Sequence, residues 1–181
     1  MFKKGFQGSS KTKVKQSVQR NLRAKLVEQF PLLEPYIDEV FPKKGDLELI
    51  KAPEKISLYA VDGEIIFFQH HDDTIYPHLK LVHKFPQAFP TVQVDRGAIR
   101  FILSGAQLMC PGLTSPGARL PPPEEAIPAE KVVVINAEGK EYACMVGKLK
   151  MGTEQIRKVK KGVGVETVHY LGDGLWCLGV E

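Results

Sequence analysis

The sequence predicts an α+β chain in two parts, a small mixed domain over residues 1–91 and a compact barrel of short strands over 92–181. Three observations carry this. Apolar residues recur every four positions from Val18 through Leu22 and Leu26 to Phe30, a helical period. Strand-like runs then flank Asp62-Gly63, a dipeptide suited to the positive φ angles of a tight hairpin turn. In the second half, short valine-rich segments alternate with turns and a single capped helix.

Taken in order, the helix from Ser17 ends at Pro31, and a shorter helical segment over Leu32 to Phe41 ends at Pro42. After the turn-like residues 43–46 the period changes. Strands are expected at Leu47–Ile50, Ile56–Val61 and Glu64–Gln69. A helix is expected from Tyr76 to Phe85, opened by Pro77 and closed by Pro86 and Pro90. Beyond the boundary, Arg119–Glu130 carries Pro121, Pro122 and Pro123 and reads as a surface loop. Lys131–Ile135, Tyr142–Val146 and Lys148–Met151 read as three strands. A helix capped by Thr153 ends at Gly162, and Val163–Tyr170 and Leu175–Leu178 read as closing strands.

Residues 94–113 (VDRGAIRFILSGAQLMCPGL) are the centre of the second part. Ala98, Phe101, Ile102 and Gly105 fall on one helical stripe, and Arg96, Arg100 and Ser104 on another. One side is expected to pack and the other to meet an anion. Gly105 stands where the helix turns into a left-handed cap, and its missing Cβ admits close backbone approach.

Composition excludes several classes. The 181 residues are 43% hydrophobic, enough for packed cores and against disorder. The formal net charge of +4 is spread over both halves, but eight Lys and Arg precede the first acid, Glu28. Lys3, Lys4, Lys11, Lys13 and Lys15 make that leader a neighbour for a polyanion. Three widely spaced cysteines without a C-x-x-C pair suggest neither a disulfide framework nor a cysteine zinc site, and fit a reducing compartment. No apolar run reaches membrane-spanning length. An acid-free, Ser- and Arg-containing start is shared with mitochondrial transit peptides, but here it continues into a structural helix, so a cytoplasmic location is expected.

The motifs carry a resemblance. Val94–Ala98, Ser104–Ala106, Met109–Leu113 and Gly162–Glu166 resemble a PUA domain, the pseudobarrel RNA-binding module of pseudouridine synthases and archaeosine transglycosylases. More narrowly, Met1–Lys4, Leu81–Lys84, Val94–Pro116 and His169–Trp176 resemble the malignant T-cell-amplified sequence family with its fungal translation machinery-associated members, from end to end of the chain. The departures lie in loops, above all 119–130. The resemblance implies a non-enzymatic, ribosome-associated factor that forms a heterodimer with a density-regulated-type protein. It would act on tRNA bound to the small ribosomal subunit, in recycling of post-termination subunits and translation re-initiation. The N-terminal domain would meet the partner and the PUA domain the RNA.

Candidate residues follow. PUA domains hold RNA where the central helix meets the next strand, which implies Leu103, Ser104, Gly105, Ala106, Gln107 and Met109. Spacing adds Arg96 and Arg100, one helical turn apart, and Lys148 and Lys150 on one strand face, as phosphate contacts. Tyr36, Phe41, Phe67 and Phe68 exceed what two short helices and a hairpin easily bury and are candidate partner anchors. His70, His71, Asp72, Asp73, His78 and His83 contain metal-ligand types, but their spacing does not converge four ligands, and no metal or other cofactor is expected. Cys110 beside Pro111 reads as a buried small hydrophobe rather than a nucleophile. No phosphate loop or deaminase pattern supports the alternative, an RNA-modification enzyme or its RNA-binding subunit.

Overall fold

The computed structural model describes residues 1–71 and 74–178. The chain forms two compact units, one of Gly5–Phe89 with the tail from Cys177, the other of Met1–Lys4 with Pro90–Trp176. The division at Phe89/Pro90 lies two residues before the boundary read from the sequence. The first four residues join the second unit, an exchange that no periodicity announces.

The first unit is a five-stranded antiparallel sheet wrapped by helices. Its elements are β1 (Ser10–Lys13), α1 (Gln16–Gln29), a 3-10 segment Pro31–Tyr36, α2 (Ile37–Val40), β2 (Leu47–Ala52), β3 (Ile56–Val61), β4 (Glu64–Gln69), β5 (Ile75–Pro77) and α3 (Leu79–Lys84). The strands pair in chain order, β1-β2-β3-β4-β5. Asp62 and Gly63 both take positive φ, 51° and 79°, as the hairpin between β3 and β4 requires. The basic leader is therefore an edge strand rather than a tail: Lys11 is paired with Glu48 at 3.0 Å and Lys13 with Asp46 at 3.7 Å.

The buried stripe of α1 contains Gln19, Leu22 and Leu26, while Val18 is half exposed. Gln19 enters at this cost because its Nε2 donates to the Val14 carbonyl at 2.9 Å. Phe30, Phe67 and Phe89 meet with ring centroids 5.3–6.5 Å apart and form the aromatic centre of the core. Residues Ile75 to Pro77, expected at the start of a helix, are instead the edge strand β5. The helix starts after His78, whose Nδ1 accepts from the Lys80 N–H at 3.0 Å as its cap.

The second unit is a curled half-barrel. Its elements are β6 (Thr91–Val94), a 3-10 turn Arg96–Ala98, α4 (Ile99–Leu103), β7 (Leu108–Met109), α5 (Pro111–Thr114), β8 (Val132–Ala137), β9 (Met145–Leu149), α6 (Thr153–Val159), β10 (Val163–Tyr170) and α7 (Gly174–Cys177). The strand order is β6-β8-β9-β10-β7, with β6 and β8 parallel. Val94, Ile102, Leu108, Ile135, Leu149 and Val165 fill the interior.

Three expectations change here. The two strands read over 142–151 are one, β9, running through Gly147. Glycine is required there because a Cβ would stand 2.5 Å from the Glu166 carbonyl oxygen on β10. Thr153 is the first helical residue rather than the cap of α6. Its hydroxyl accepts from the Ile127 N–H at 3.0 Å and ties down the proline-rich loop. Residues 174–177 form a helical turn, not a strand, because the Asp173 carboxylate accepts from the Trp176 N–H at 2.8 Å.

Candidate nucleic-acid interface

In the second unit β6 and β7 are the two edges of one sheet, so residues 95–107 must cross from edge to edge. That crossing is the 3-10 turn and α4. Asp95 starts it: Oδ1 accepts from the Ala98 N–H at 3.0 Å, and Oδ2 accepts from the Ser115 hydroxyl. The carboxylate is thus held by its own loop. At the other end Gly105 takes φ +82°, with its N–H bonded to the Ile102 carbonyl and that of Ala106 to the Phe101 carbonyl, the paired bonds of a Schellman stop.

Beside this crossing lies an open groove of about 550 Å³, within the size range of small-ligand sites. Its wall is apolar, with Ala98, Phe101, Ile102, Leu108 and Met109 prominent. Phe101, expected in the packed stripe, is 54% exposed, and only Ala98 and Ile102 of that stripe are buried with Gly105. The helix is shorter than the periodicity suggested, so the stripe opens into the groove before it closes. The Arg100 guanidinium carbon lies 4.8 Å from the Phe101 ring centroid. A cation and an aromatic face therefore stand together at the groove, the pairing that holds a phosphate and an unstacked base.

Gln107 adds a polar group. Its Oε1 accepts from the Thr167 N–H at 2.8 Å, which fixes the side-chain amide. Its Nε2 has no protein partner among the described residues and remains a donor for a ligand lining the same groove. Ala106 is fastened to β10, its carbonyl accepting from the Thr167 hydroxyl at 2.7 Å. Leu103 and Met109 are 44% and 46% exposed, and the exposed Ser104 donates back to the Phe101 carbonyl at 2.7 Å.

The other expected phosphate contacts are differently placed. Arg96 packs its guanidinium over Gly139 in the β8–β9 turn, away from the ring that Arg100 covers. Lys148 and Lys150 alternate with buried Leu149, as expected, but each holds a carboxylate: Glu130 at 3.5 Å and Glu166 at 3.2 Å. A phosphate would have to displace these pairs. Gly105 is not open to an incoming backbone either. A Cβ there would stand 2.8 Å from Lys3 Cε and 3.0 Å from the Tyr170 hydroxyl.

Of the candidate partner anchors, Phe41, Phe67 and Phe68 are 3%, 0% and 0% exposed. This corrects their reading as surface anchors. The excess of aromatics is absorbed because β4 is covered on both faces, with Phe68 stacked on Tyr76 of β5 at 5.3 Å and Phe67 in the core. Tyr36 alone is partly exposed, its hydroxyl donating to Gln87 Oε1 at 3.2 Å.

Cys110 is fully buried, and burial pushes its thiol pKa up, the wrong direction for a nucleophile. His70 and His71 contact each other at 3.1 Å, and Asp72 and Asp73 lie outside the described residues. The groove is not legible in the sequence because its apolar wall shares the period of a core; only the resemblance pointed to its border at residues 103–109.

Residues 2–86 match the family model of the Pre-PUA-like domain, and residues 90–171 that of the PUA domain. The chain is 60% identical to translation machinery-associated protein 20 of Saccharomyces cerevisiae, over the whole of both chains. It is 45% identical to malignant T-cell-amplified sequence 2 of Homo sapiens, over 97% of each. In fold it resembles a PUA domain protein from Thermoplasma acidophilum, with a TM-score of 0.68 at 21% identity over 92% of this chain and 97% of that one. A protein from Pyrococcus horikoshii gives a TM-score of 0.75 at 20% identity over 92% and 98%. With both domain models matched in order and relatives this similar along their full length, the chain belongs to the translation machinery-associated protein 20 and malignant T-cell-amplified sequence family of PUA proteins.

Proposed function

We propose that this protein is a non-enzymatic translation factor whose PUA unit grips the single-stranded acceptor end of a tRNA on the small ribosomal subunit. It works in the cytoplasm as a heterodimer with a density-regulated-type protein, in recycling of post-termination subunits and in re-initiation. The observation that carries the RNA reading is the open apolar groove walled by Phe101 and Met109, with Arg100 over the ring and the Gln107 amide fixed beside it. Single-stranded ends leave base faces free for an aromatic platform, and base stacking of this kind is worth about 1–3 kcal/mol per base. Duplex RNA offers no such face, so the groove favours an unpaired terminus. The names of the relatives support the link to translation.

Arg100 meets the phosphate, Phe101 stacks, and Gln107 Nε2 donates to a base carbonyl or phosphate oxygen. Leu103, Ser104, Ala106 and Met109 border this contact, Arg96 stands off it over Gly139, and Lys148 and Lys150 contribute the field of the sheet rather than direct bonds. The first unit faces the partner through the exposed Leu32 and the partly exposed Tyr36, which lie on one 3-10 segment.

The test is binding of bulk tRNA before and after enzymatic removal of its unpaired 3′ nucleotides. Intact tRNA should bind more tightly, and Phe101→Ala should remove most of the difference. Equal binding of both RNAs would contradict the groove as the site. For the partner, the isolated chain should retain a density-regulated-type protein in a pull-down, and Tyr36→Asp should weaken that retention. Retention unchanged by the substitution would move the contact off this segment.

A further inference from the structure

We propose that Met1–Lys4 is a fixed strap of the RNA surface, and that Lys3 on it is a phosphate-binding residue at the closed end of α4. This rests on the reading of the groove as an RNA site and extends it to a segment remote in sequence.

The strap is held in three ways, all within the second unit. Phe2 is 3% exposed, and its ring meets the His169 ring edge-on at 6.3 Å. Its carbonyl accepts from the Gly174 N–H at 2.6 Å. His169 is itself pinned, its Nδ1–H donating to Asp173 Oδ2 at 2.8 Å with both side chains fully buried. Asp173 also accepts from the Tyr170 and Trp176 N–H groups at 3.0 and 2.8 Å. The socket for Phe2 is therefore rigid.

Lys3 then crosses Gly105. Its Cε and Cγ would lie 2.8 and 3.2 Å from a Cβ at that position, so the stem occupies the space a side chain would fill. The glycine serves two ends: its positive φ stops the helix, and its bare face seats the lysine. The residue remains exposed, and its ammonium has no carboxylate partner among the described residues. Lys148 and Lys150, on the same unit, are both paired. A cation whose stem is already ordered loses less conformational freedom when it captures a phosphate. It stands over the residue that follows Ser104 and precedes Ala106 and Gln107, next to the stretch where the RNA end is read. The chain thus replaces close backbone approach at Gly105 with an ammonium placed there.

The experiment measures bulk tRNA binding by the full-length protein across a salt series, for Lys3→Ala, Phe2→Ala, Arg100→Ala and, as an equal-charge control on the exposed face of α1, Lys25→Ala. Each variant is first checked by thermal melting. Lys3 is exposed, so Lys3→Ala keeps the fold even if Phe2→Ala lowers the melting temperature. The expected result is that Lys3→Ala weakens binding and flattens the log-affinity against log-salt slope by about 0.7, one single-strand phosphate contact. Lys25→Ala should change neither. Phe2→Ala should reproduce the loss through release of the strap, and adding Lys3→Ala to it should cost nothing more. The proposal is overturned if Lys3→Ala leaves affinity and slope unchanged while Arg100→Ala lowers both. Tighter binding by Lys3→Ala or Phe2→Ala overturns it too, since the strap would then be a cover. If neither Lys3→Ala nor Arg100→Ala matters, the groove itself is not the RNA site, and the strap proposal falls with it.

Discussion

The two sheets of the molecule have five strands each and are wired in opposite ways. In the first, every strand pairs with its neighbour in sequence, β2 to β5 through short connections and β1 to β2 around the helices, and β4 is buried on both faces. In the second, β6 and β7 are consecutive in sequence yet sit at opposite edges. The chain between them has to span the mouth of the curled sheet, and a short helix cannot seal it. The meander leaves little apolar surface unspent, whereas the crossover leaves a groove with an aromatic wall. Closed wiring stores stability, and open wiring at the crossover leaves room for a ligand.

The largest effects should come from testing the closed parts. Gly147→Val would drive a side chain into the Glu166 carbonyl and Val165, and should destabilise the second unit by about 3 kcal/mol or more. Its melting transition would show this, and a variant that melts like the parent would mean β9 and β10 are not packed as described. Phe67→Ala should cost about 3–5 kcal/mol in the first unit without any partner present. A partner anchor would instead leave the stability of the free chain untouched.

A pH series sharpens the same contrast. Burial raises the Cys144 thiol pKa from 9.0 to about 11. The unfolded chain releases that proton first as pH rises, so the native state is favoured below pH 9 and loses this advantage between pH 9 and about 11. The loss is about 3 kcal/mol at most, one pKa unit being about 1.4 kcal/mol. Cys144→Ala should flatten the alkaline limb of stability against pH, and an equally steep limb would assign it to other groups. The smallest effect should be at the crossover: Asp95→Ala removes a cap and its Ser115 bond, for about 1 kcal/mol. Urea titration would register it. A cost several-fold larger would mean that the crossover is as tightly built as the sheet.

Legibility in the sequence followed this division. The hairpin at Asp62-Gly63 was readable because the turn chemistry and both strands lie within fourteen residues. The α1 stripe was readable apart from Val18, where a local hydrogen bond favoured Gln19. Gly147 reads as a break between strands in sequence because its need for a missing Cβ comes from β10, eighteen or more residues on. Ile75 to Pro77 carried a proline that suits a helix start, and only pairing with β4 makes it a strand. The closing turn at 174–177 reads as a strand in sequence because the capping role of Asp173 is visible only with its three donors in place. The family, and hence the half-barrel, could be read from the motifs at 94–116 and 162–176. At the site, Arg100 could be named from its helical spacing and Gln107 from the resemblance to PUA domains. The pairing of Lys148 and Lys150 with acids, and the arrival of Lys3 over Gly105, depend on contacts between segments far apart in the chain.

The central claim is that the groove beside α4 takes an unpaired RNA end through Phe101. The most direct measurement compares the affinity of the folded parent and of Phe101→Ala for tRNA with and without its 3′ single strand. The account predicts that the parent prefers the intact RNA by roughly five-fold or more, about 1 kcal/mol or above as one stacked base supplies, and that Phe101→Ala loses that preference. A parent that binds both RNAs equally, or a Phe101→Ala variant that keeps the full preference, would contradict it.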